Sequence, residues 1–244
     1  MVTGDSIGGA KRTIRERVWD LLEREHVTEP GVRGYIPAFA GAGLAAGLLA
    51  STPEWENARV IKAVPDRAQQ PVRERALRDG KLLYMAVPRL AGDPPFYELD
   101  PGRLPVPAAE AASRQGAAKV ARRVGTGQMR PVDMVVCGSV AVNRDGTRLG
   151  KGAGYSDLEV ALLAEAGLIG PGTLIVTTVH PLQVIDEPIP ETGQDISVDL
   201  IVTTRDMIRC GPPRRPARLD WDQLPASMIA SIPVLAARQD RSGK

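Results

Sequence analysis

The 244-residue sequence holds only two cysteines, Cys137 and Cys210, and two histidines, His26 and His180. Neither pair has CxxC or HxxxH spacing, which excludes a structural zinc site. Two cysteines so far apart read as free thiols in a reducing compartment, packed as small apolar side chains. Aromatic residues make up 4% of the chain, too few for the base-stacking platforms of single-strand binders. No apolar run approaches the roughly 18 residues of a membrane span, and Met1 to Asp20 contains no apolar signal segment. An excess of either charge is also missing. A formal charge of +2 gives no argument for a nucleic-acid or membrane partner. These absences lead to the expectation of a cytoplasmic globular protein with no nucleic acid and no membrane among its partners.

What is present is an ordinary globular composition, 43% apolar and 25% charged, long enough to bury a sizeable core. Apolar spacing predicts an amphipathic helix over Lys11 to Glu25, with Ile14, Val18, Leu21 and Leu22 on one stripe. Further helices are expected at Gly41 to Leu49, Pro71 to Arg78, Ala117 to Val124 and around Ala161 to Ala164. Strands are expected at Ala58 to Val64, Lys81 to Val87, Asp133 to Cys137, Thr173 to Val179 and Val198 to Val202. The proline-rich stretch Ala91 to Pro107 reads as a long loop. Near-continuous apolar strands alternating with helices imply an α/β/α sandwich with a mainly parallel sheet. A single domain over residues 1–244 is expected, with 211–244 a tail docked through Met228, Ile229 and Ile232. The polar end from Arg238 to Lys244 is expected to fray.

The segment Asn143-Arg-Asp-Gly-Thr-Arg-Leu-Gly-Lys-Gly-Ala-Gly-Tyr-Ser-Asp157 carries the chemistry. Asn-Arg-Asp-Gly is a turn signature, so the strand ending near Val142 reverses there. Gly150, Gly152 and Gly154 alternate, which would strip the Cβ atoms from one side of an extended backbone and let amides approach an anion. Ser156 and Glu159 have the spacing of a capping box, which starts a helix whose N-terminus favours phosphate. Arg148 and Lys151 add positive charge. Walker A, Rossmann and nucleophile-elbow patterns all fail on this stretch. The competing reading is a glycine-rich connector with solvated cations.

The residues Arg148-Leu-Gly-Lys-Gly-Ala-Gly-Tyr-Ser-Asp157 resemble the RLGxGxGYYD loop of the 5-formyltetrahydrofolate cyclo-ligase family. Other segments agree in order. Lys11-Arg-Thr-Ile-Arg15 looks like the family's N-terminal K-x-x-[IL]-R, and Val87-Pro-Arg89 like its I-P-R. Gln183, Ile189-Pro190, Asp195 and Val198-Asp199 look like its ending. The cyclo-ligase-like part of methenyltetrahydrofolate synthetase domain-containing proteins is more similar still, through residues 138–142, 154–159 and 179–180. The resemblance implies ATP- and magnesium-dependent closure of 5-formyltetrahydrofolate to 5,10-methenyltetrahydrofolate, with release of ADP and phosphate. It implies that Lys11, Arg15, Arg148, Gly150, Lys151, Gly152, Ala153, Gly154 and Tyr155 bind ATP, with Arg148, Lys151 and Tyr155 catalytic. Asp157 and Asp195 match its Mg²⁺ positions, and Asp66, Arg89 and Ser156 fall on its substrate side. The implied partners are ATP and a reduced folate.

The chain departs from the family pattern at several points. Ser156 stands for a second tyrosine, Leu158 stands where the family often has an arginine or similar residue, and Asp66 is all that stands for a substrate-loop glutamate. His180 reads as structural. Plainer readings remain for Asp157 (a first-turn helix acid), Asp195 (a turn residue), and Lys11 with Arg15 (a solvated helix face). Two alternative functions also stay open, an ATP-dependent enzyme on another formylated or pterin-like substrate and a non-catalytic nucleotide binder. Lys119, Arg122, Arg123 and Arg130 form a basic group read as solvated.

Overall fold

The computed structural model describes residues 4–242 apart from 213 and 217. Helices α1 (Gly4–Arg24), α2 (Ala42–Ala50) and α3 (Pro53–Asn57) precede β1 (Val60–Ala63). Then come α4 (Gln70–Arg78), β2 (Leu82–Ala86), β3 (Phe96–Leu99), α5 (Ala108–Ala111), α6 (Arg114–Val120) and β4 (Arg122–Val124). Strand β5 (Met134–Cys137) leads through β6 (Ala141–Asn143) and β7 (Arg148–Leu149) to α7 (Tyr155–Glu165). The chain continues as β8 (Leu174–Thr178), β9 (Val184–Ile185), β10 (Leu200–Val202), β11 (Met207–Arg209), α8 (Ala226–Ser231) and α9 (Pro233–Ser242).

Eight strands form one sheet in the order β11-β10-β8-β5-β1-β2-β3-β4. The five central strands, β10 to β2, are parallel, and the antiparallel pairs lie at the edges. Strands β7, β6 and β9 make a smaller sheet beside it. Helices cover both faces of the large sheet, as the strand–helix alternation implied. Alternate residues of each strand serve opposite faces. Ile61, Ala63, Leu83, Met85, Met134 and Val136 join the cluster containing Ile14, Val18 and Leu22 of α1 and Leu49 of α2. Val60, Tyr84, Val135, Ile175 and Ile201 join Val160, Leu162 and Leu163 of α7 with Ile229, Ile232 and Leu235 of the tail. Both clusters draw on residues before and after Pro101.

Four expectations about elements need correction. Helix α1 begins at Gly4 rather than Lys11; Gly8 and Gly9 depress helix propensity, yet the turns after them bury Ile14 and Val18 and carry the helix. The long loop contains β3, which pairs antiparallel with β2 because Phe96, Tyr97 and Leu99 are buried there. The helix expected over 117–124 stops at Val120, and Arg122–Val124 becomes an edge strand on β3. The polar end is helical through Ser242, with Arg238 paired to Glu165 at 2.7 Å; Gly243 and Lys244 lie outside the described residues. Cys137 is buried and Cys210 half-buried, both as free thiols.

Candidate functional site

One cleft of about 1590 Å³ receives every residue that the sequence singled out for the site. Helix α1 contributes Lys11, Arg15 and Trp19, four residues apart and therefore on one helical face. Residues 150–154 and the start of α7 contribute a second side, and the loops after β1 and β2 bring Asp66 and Arg89. A parallel pair places the ends of β1 and β2 at the same edge of the sheet, where open α/β sheets bind ligands.

The hairpin β6–β7 delivers the glycine loop. Asn143 closes its turn, with Oδ1 accepting the Thr147 amide at 2.9 Å. Arg148 follows directly and points inward, only 4% exposed. Its Nη1 donates to Asp157 Oδ1 at 2.9 Å and its Nη2 to the Gly138 carbonyl at 3.3 Å. Its Nε is buried without a partner among the described residues. Burial works against the Arg148 charge, but Asp157, Cys137 and Asp195 outweigh it and raise the pKa. Beyond Arg148 the loop is not extended, contrary to the alternate-glycine expectation. Gly152 has φ 99° and Gly154 φ 70°, left-handed turns that a side chain would strain.

The capping box is also corrected. Gly154 is the N-cap of α7, and no side chain caps it. Glu159 turns inward instead and forms an ion pair with Lys62 of β1, both side chains being buried. A buried ammonium needs a carboxylate more than a half-exposed helix start needs a second cap. Helix α7 is thus fixed at its first two turns by Arg148–Asp157 and Lys62–Glu159.

The cations are held in place by the protein itself. Arg15 Nε donates to the Gly150 carbonyl at 2.8 Å. Its pKa is lowered, first by burial and then by Arg148 and Arg12, against the opposing pull of Asp195 and Asp157. Lys11 Nζ lies 2.5 Å from Asp195 Oδ2, which also accepts from the Thr192 amide at 2.6 Å and its hydroxyl at 2.9 Å. Burial tends to raise the Asp195 pKa, yet these bonds hold it below the ordinary value. The Ile196 amide donates to Asp157 Oδ1 at 3.2 Å, which ties the segment bearing Asp195 to the start of α7.

Lys151 and Asp66, expected at opposite halves of the site, form a pair at 2.7 Å. With two carboxylates already near Arg148 and Lys11, Asp66 is the acid within reach of the exposed loop lysine. Arg89 sits at φ 59° and the buried Leu90 at φ 52°, adjacent left-handed residues that strain the cleft edge. Tyr155 and Ser156 are half-buried and line the same cleft. His180 Nδ1 accepts from the Leu182 amide at 3.2 Å, and burial followed by Arg205 lowers its pKa; its position is that of a cap.

Among the described residues, no group of three or more His, Cys, Asp or Glu could hold a metal. Asp157 and Asp195 fit only an ion that brings other oxygens, as Mg²⁺ does with phosphate and water. Each has Oδ1 or Oδ2 taken up by the bonds above, which leaves one oxygen apiece to offer.

Sequence reasoning missed three features. Arg73 is 1% exposed and donates to Ala112 O at 2.8 Å, Val64 O at 2.6 Å and Asp66 O at 2.9 Å. It therefore fixes the loop bearing Asp66, and burial lowers its pKa to about 10. The Lys62–Glu159 pair had a faint signal, a lone lysine in Val60-Ile-Lys-Ala63 and a lone glutamate in Leu158 to Leu163. Tyr35, 66% exposed, lies in a stretch with no periodicity.

Comparison with known proteins shows the family of the chain. The family model described as the 5-formyltetrahydrofolate cyclo-ligase family matches residues 7–204. The methenyltetrahydrofolate synthase domain-containing protein of Mus musculus is 37% identical over 242 residues, covering 96% of this chain and 64% of that protein. Its Homo sapiens counterpart is 33% identical over 250 residues, covering 98% and 64%. The chain thus spans just under two thirds of these relatives' length. The solved 5,10-methenyltetrahydrofolate synthetase of Aquifex aeolicus shares the fold, with a TM-score of 0.54, 23% identity and coverage of 87% of this chain and 97% of that one. With the family model running from α1 through β10, and the motif residues of both ends meeting in one cleft, the chain belongs to the 5-formyltetrahydrofolate cyclo-ligase family.

Proposed function

We propose that the chain works as one cyclo-ligase-like unit, with 211–244 packed on it as a tail, and closes 5-formyltetrahydrofolate to 5,10-methenyltetrahydrofolate using ATP and magnesium. The observation that carries this reading is convergence. Lys11 and Asp195, 184 residues apart, are in contact, and both line the cleft with Arg15, Arg148, Lys151 and the glycine loop. Four cations around a loop of exposed amides suit a polyphosphate.

The chemistry asks for positioning and charge neutralisation. The formyl oxygen attacks the γ-phosphorus and ADP leaves. N10 then attacks the formyl carbon, its proton is lost, and the carbon–oxygen bond breaks to release inorganic phosphate. Lys11, Arg15 and the amides of residues 150–155 hold the nucleotide, while Arg148, Lys151 and Tyr155 attend the transferred group. Asp157 and Asp195 would hold Mg²⁺, which when bound neutralises charge on the phosphate oxygens. Asp66, Arg89 and Ser156 face the folate. Lys151 must leave Asp66 to reach phosphate, which couples the two halves of the site.

The test is the absorbance of methenyltetrahydrofolate formed from 5-formyltetrahydrofolate, with ATP and magnesium each omitted in turn. Product that depends on both is the expected result. Product without ATP, or none with both present, refutes the assignment. Binding of ATP without cyclisation moves the reading to another formylated or pterin-like substrate, which the ringless side chain of Ser156 would admit.

A further inference from the structure

The strongest feature that the proposed chemistry leaves unused is the segment 31–36, which lies between α1 and α2 and bears Tyr35. Of the aromatic side chains described, Tyr35 is the one left largely in the open, at 66% exposure, whereas Trp19, Trp55, Tyr84, Tyr97, Phe39 and Phe96 are buried. It lines the same cleft as the glycine loop.

The segment is not loose. Glu23 Oε1 accepts from the Gly31 amide at 2.7 Å and the Val32 amide at 2.9 Å. Arg33 pairs with Glu16 and Asp20 of α1. The Tyr35 amide donates to Val32 O at 3.0 Å, and Trp19 Nε1 donates to Tyr35 O at 3.0 Å. Its neighbour Ile36 is 8% exposed and packs so closely on Gly138 that a Cβ there would meet it at 3.0 Å. Gly138 is the residue whose carbonyl receives Arg148. The backbone under Tyr35 is therefore fixed to both α1 and the strand end beneath the phosphate loop, while the ring is left uncovered.

Position along α1 gives the scale. Arg15 reaches Gly150, and Trp19, four residues on, reaches Tyr35, a rise of about 6 Å along the helix. A ligand whose anionic group rests on the glycine loop would bring a ring attached a few bonds away to the level of Tyr35. Ser156, on the same cleft, offers a hydroxyl and no ring.

We propose that Tyr35 is a stacking residue for the planar heteroaromatic ring of a ligand anchored on the glycine loop. The inference rests on the polyphosphate reading of that loop. The ring is that of the nucleotide base, whose phosphates rest on the loop, or the pyrimidine ring of the reduced pterin brought against those phosphates, and the experiment distinguishes the two.

The experiment measures calorimetric affinity of the full chain, with magnesium, for ATP, 5-formyltetrahydrofolate and tripolyphosphate, in the parent, Tyr35→Ala and Tyr35→Phe. Tripolyphosphate carries the anion without a ring. Tyr35→Ala should weaken either ATP or the folate by about 10- to 100-fold, the range for one aromatic stack. Tripolyphosphate should bind the variant like the parent, and Tyr35→Phe should keep parental affinity for all three. Loss on ATP names the base, and loss on the folate names the pteridine. Unchanged affinity for both ring-bearing probes overturns the stacking role. Equal loss on tripolyphosphate also overturns it, because the loop would then act only through the fold. If the parent binds none of the three, the polyphosphate reading fails and the inference falls with it.

Discussion

Removing one partner of the buried Lys62–Glu159 pair should destabilise the protein strongly, and removing both should not. The Lys62 side chain is 0% and that of Glu159 5% exposed, so Glu159→Leu leaves an ammonium between the sheet and α7 with no water to receive it. Breaking such a pair typically costs about 3–5 kcal/mol. That corresponds to a melting-temperature loss of roughly 6–20 °C for a chain of this size. The double variant Lys62→Met with Glu159→Leu should recover most of the loss, since apolar replacements of buried pairs are often neutral or stabilising. Urea unfolding of the parent, both single variants and the double variant at pH 7 checks all of this. A Glu159→Leu penalty below about 1 kcal/mol, or a double variant no more stable than the single one, would refute the reasoning.

Three more outcomes follow from the site. Asp195 is held below its ordinary pKa of 3.8, against burial, by Lys11 and Thr192. Its contribution is therefore present above the unfolded value and lost as pH falls through the lower folded one. Lys11→Met removes one cause, so urea midpoints between pH 5 and pH 2 should fall less steeply than in the parent; parallel slopes would count against the pair. Arg89→Gly relieves a left-handed residue and should leave stability equal or up to about 1 kcal/mol higher, while raising the KM for 5-formyltetrahydrofolate if the proposed function holds. A clear loss of stability would show that the Arg89 side chain holds the loop. On the proposed reading Lys151→Ala would remove a charge-assisted phosphate contact, and it should weaken ATP by roughly tenfold to a hundredfold with little change in folding. Parental ATP affinity, read by calorimetry, would take the glycine loop out of the phosphate site.

The parallel centre of the sheet was legible because β1, β2, β5, β8 and β10 are buried on both faces and so read as short apolar runs bounded by turn residues. The edges were not. β3 contains Glu98 and stands among prolines, and β4 is Arg122-Arg-Val124, so neither has the composition of a strand. Each exists because an edge of β2, and then of β3, needed pairing. The glycine loop stood out by composition, but its backbone was not legible. Alternate glycines suggest an extended strand, whereas Gly152 and Gly154 use their freedom to turn left-handed. Glu159 shows the limit most clearly. Local spacing assigned it to a capping box with Ser156, and the contact that decides its position is with Lys62, 97 residues earlier.

The same long-range pairing bears on how the proposed site would work. Lys11 is held by Asp195, Arg148 by Asp157 and Lys151 by Asp66, so three of the four cations assigned to phosphate already have a carboxylate, while Arg15 donates to the Gly150 carbonyl. Ligand binding then exchanges partners rather than burying new charge, which keeps the net gain per contact modest. The three pairs are not alike. Arg148 is buried and its Nη1 and Nη2 are engaged, leaving the Nε hydrogen unpartnered among the described residues. It can meet an anion only by small adjustment, as suits a group that stabilises charge at a fixed point. Lys151 is a third exposed on a flexible stem, and its release from Asp66 frees an acid on the folate side as the ammonium moves to phosphate. The pair between Lys11 and Asp195 joins a phosphate cation to a metal carboxylate. If Lys11 turned to phosphate, Asp195 would lose its cationic partner, and a bound Mg²⁺ would supply the positive charge in its place. On the proposed reading, ATP without magnesium would leave Asp195 as an uncompensated charge beside the phosphates, so ATP should bind more tightly with the metal than without it because of that one exchange.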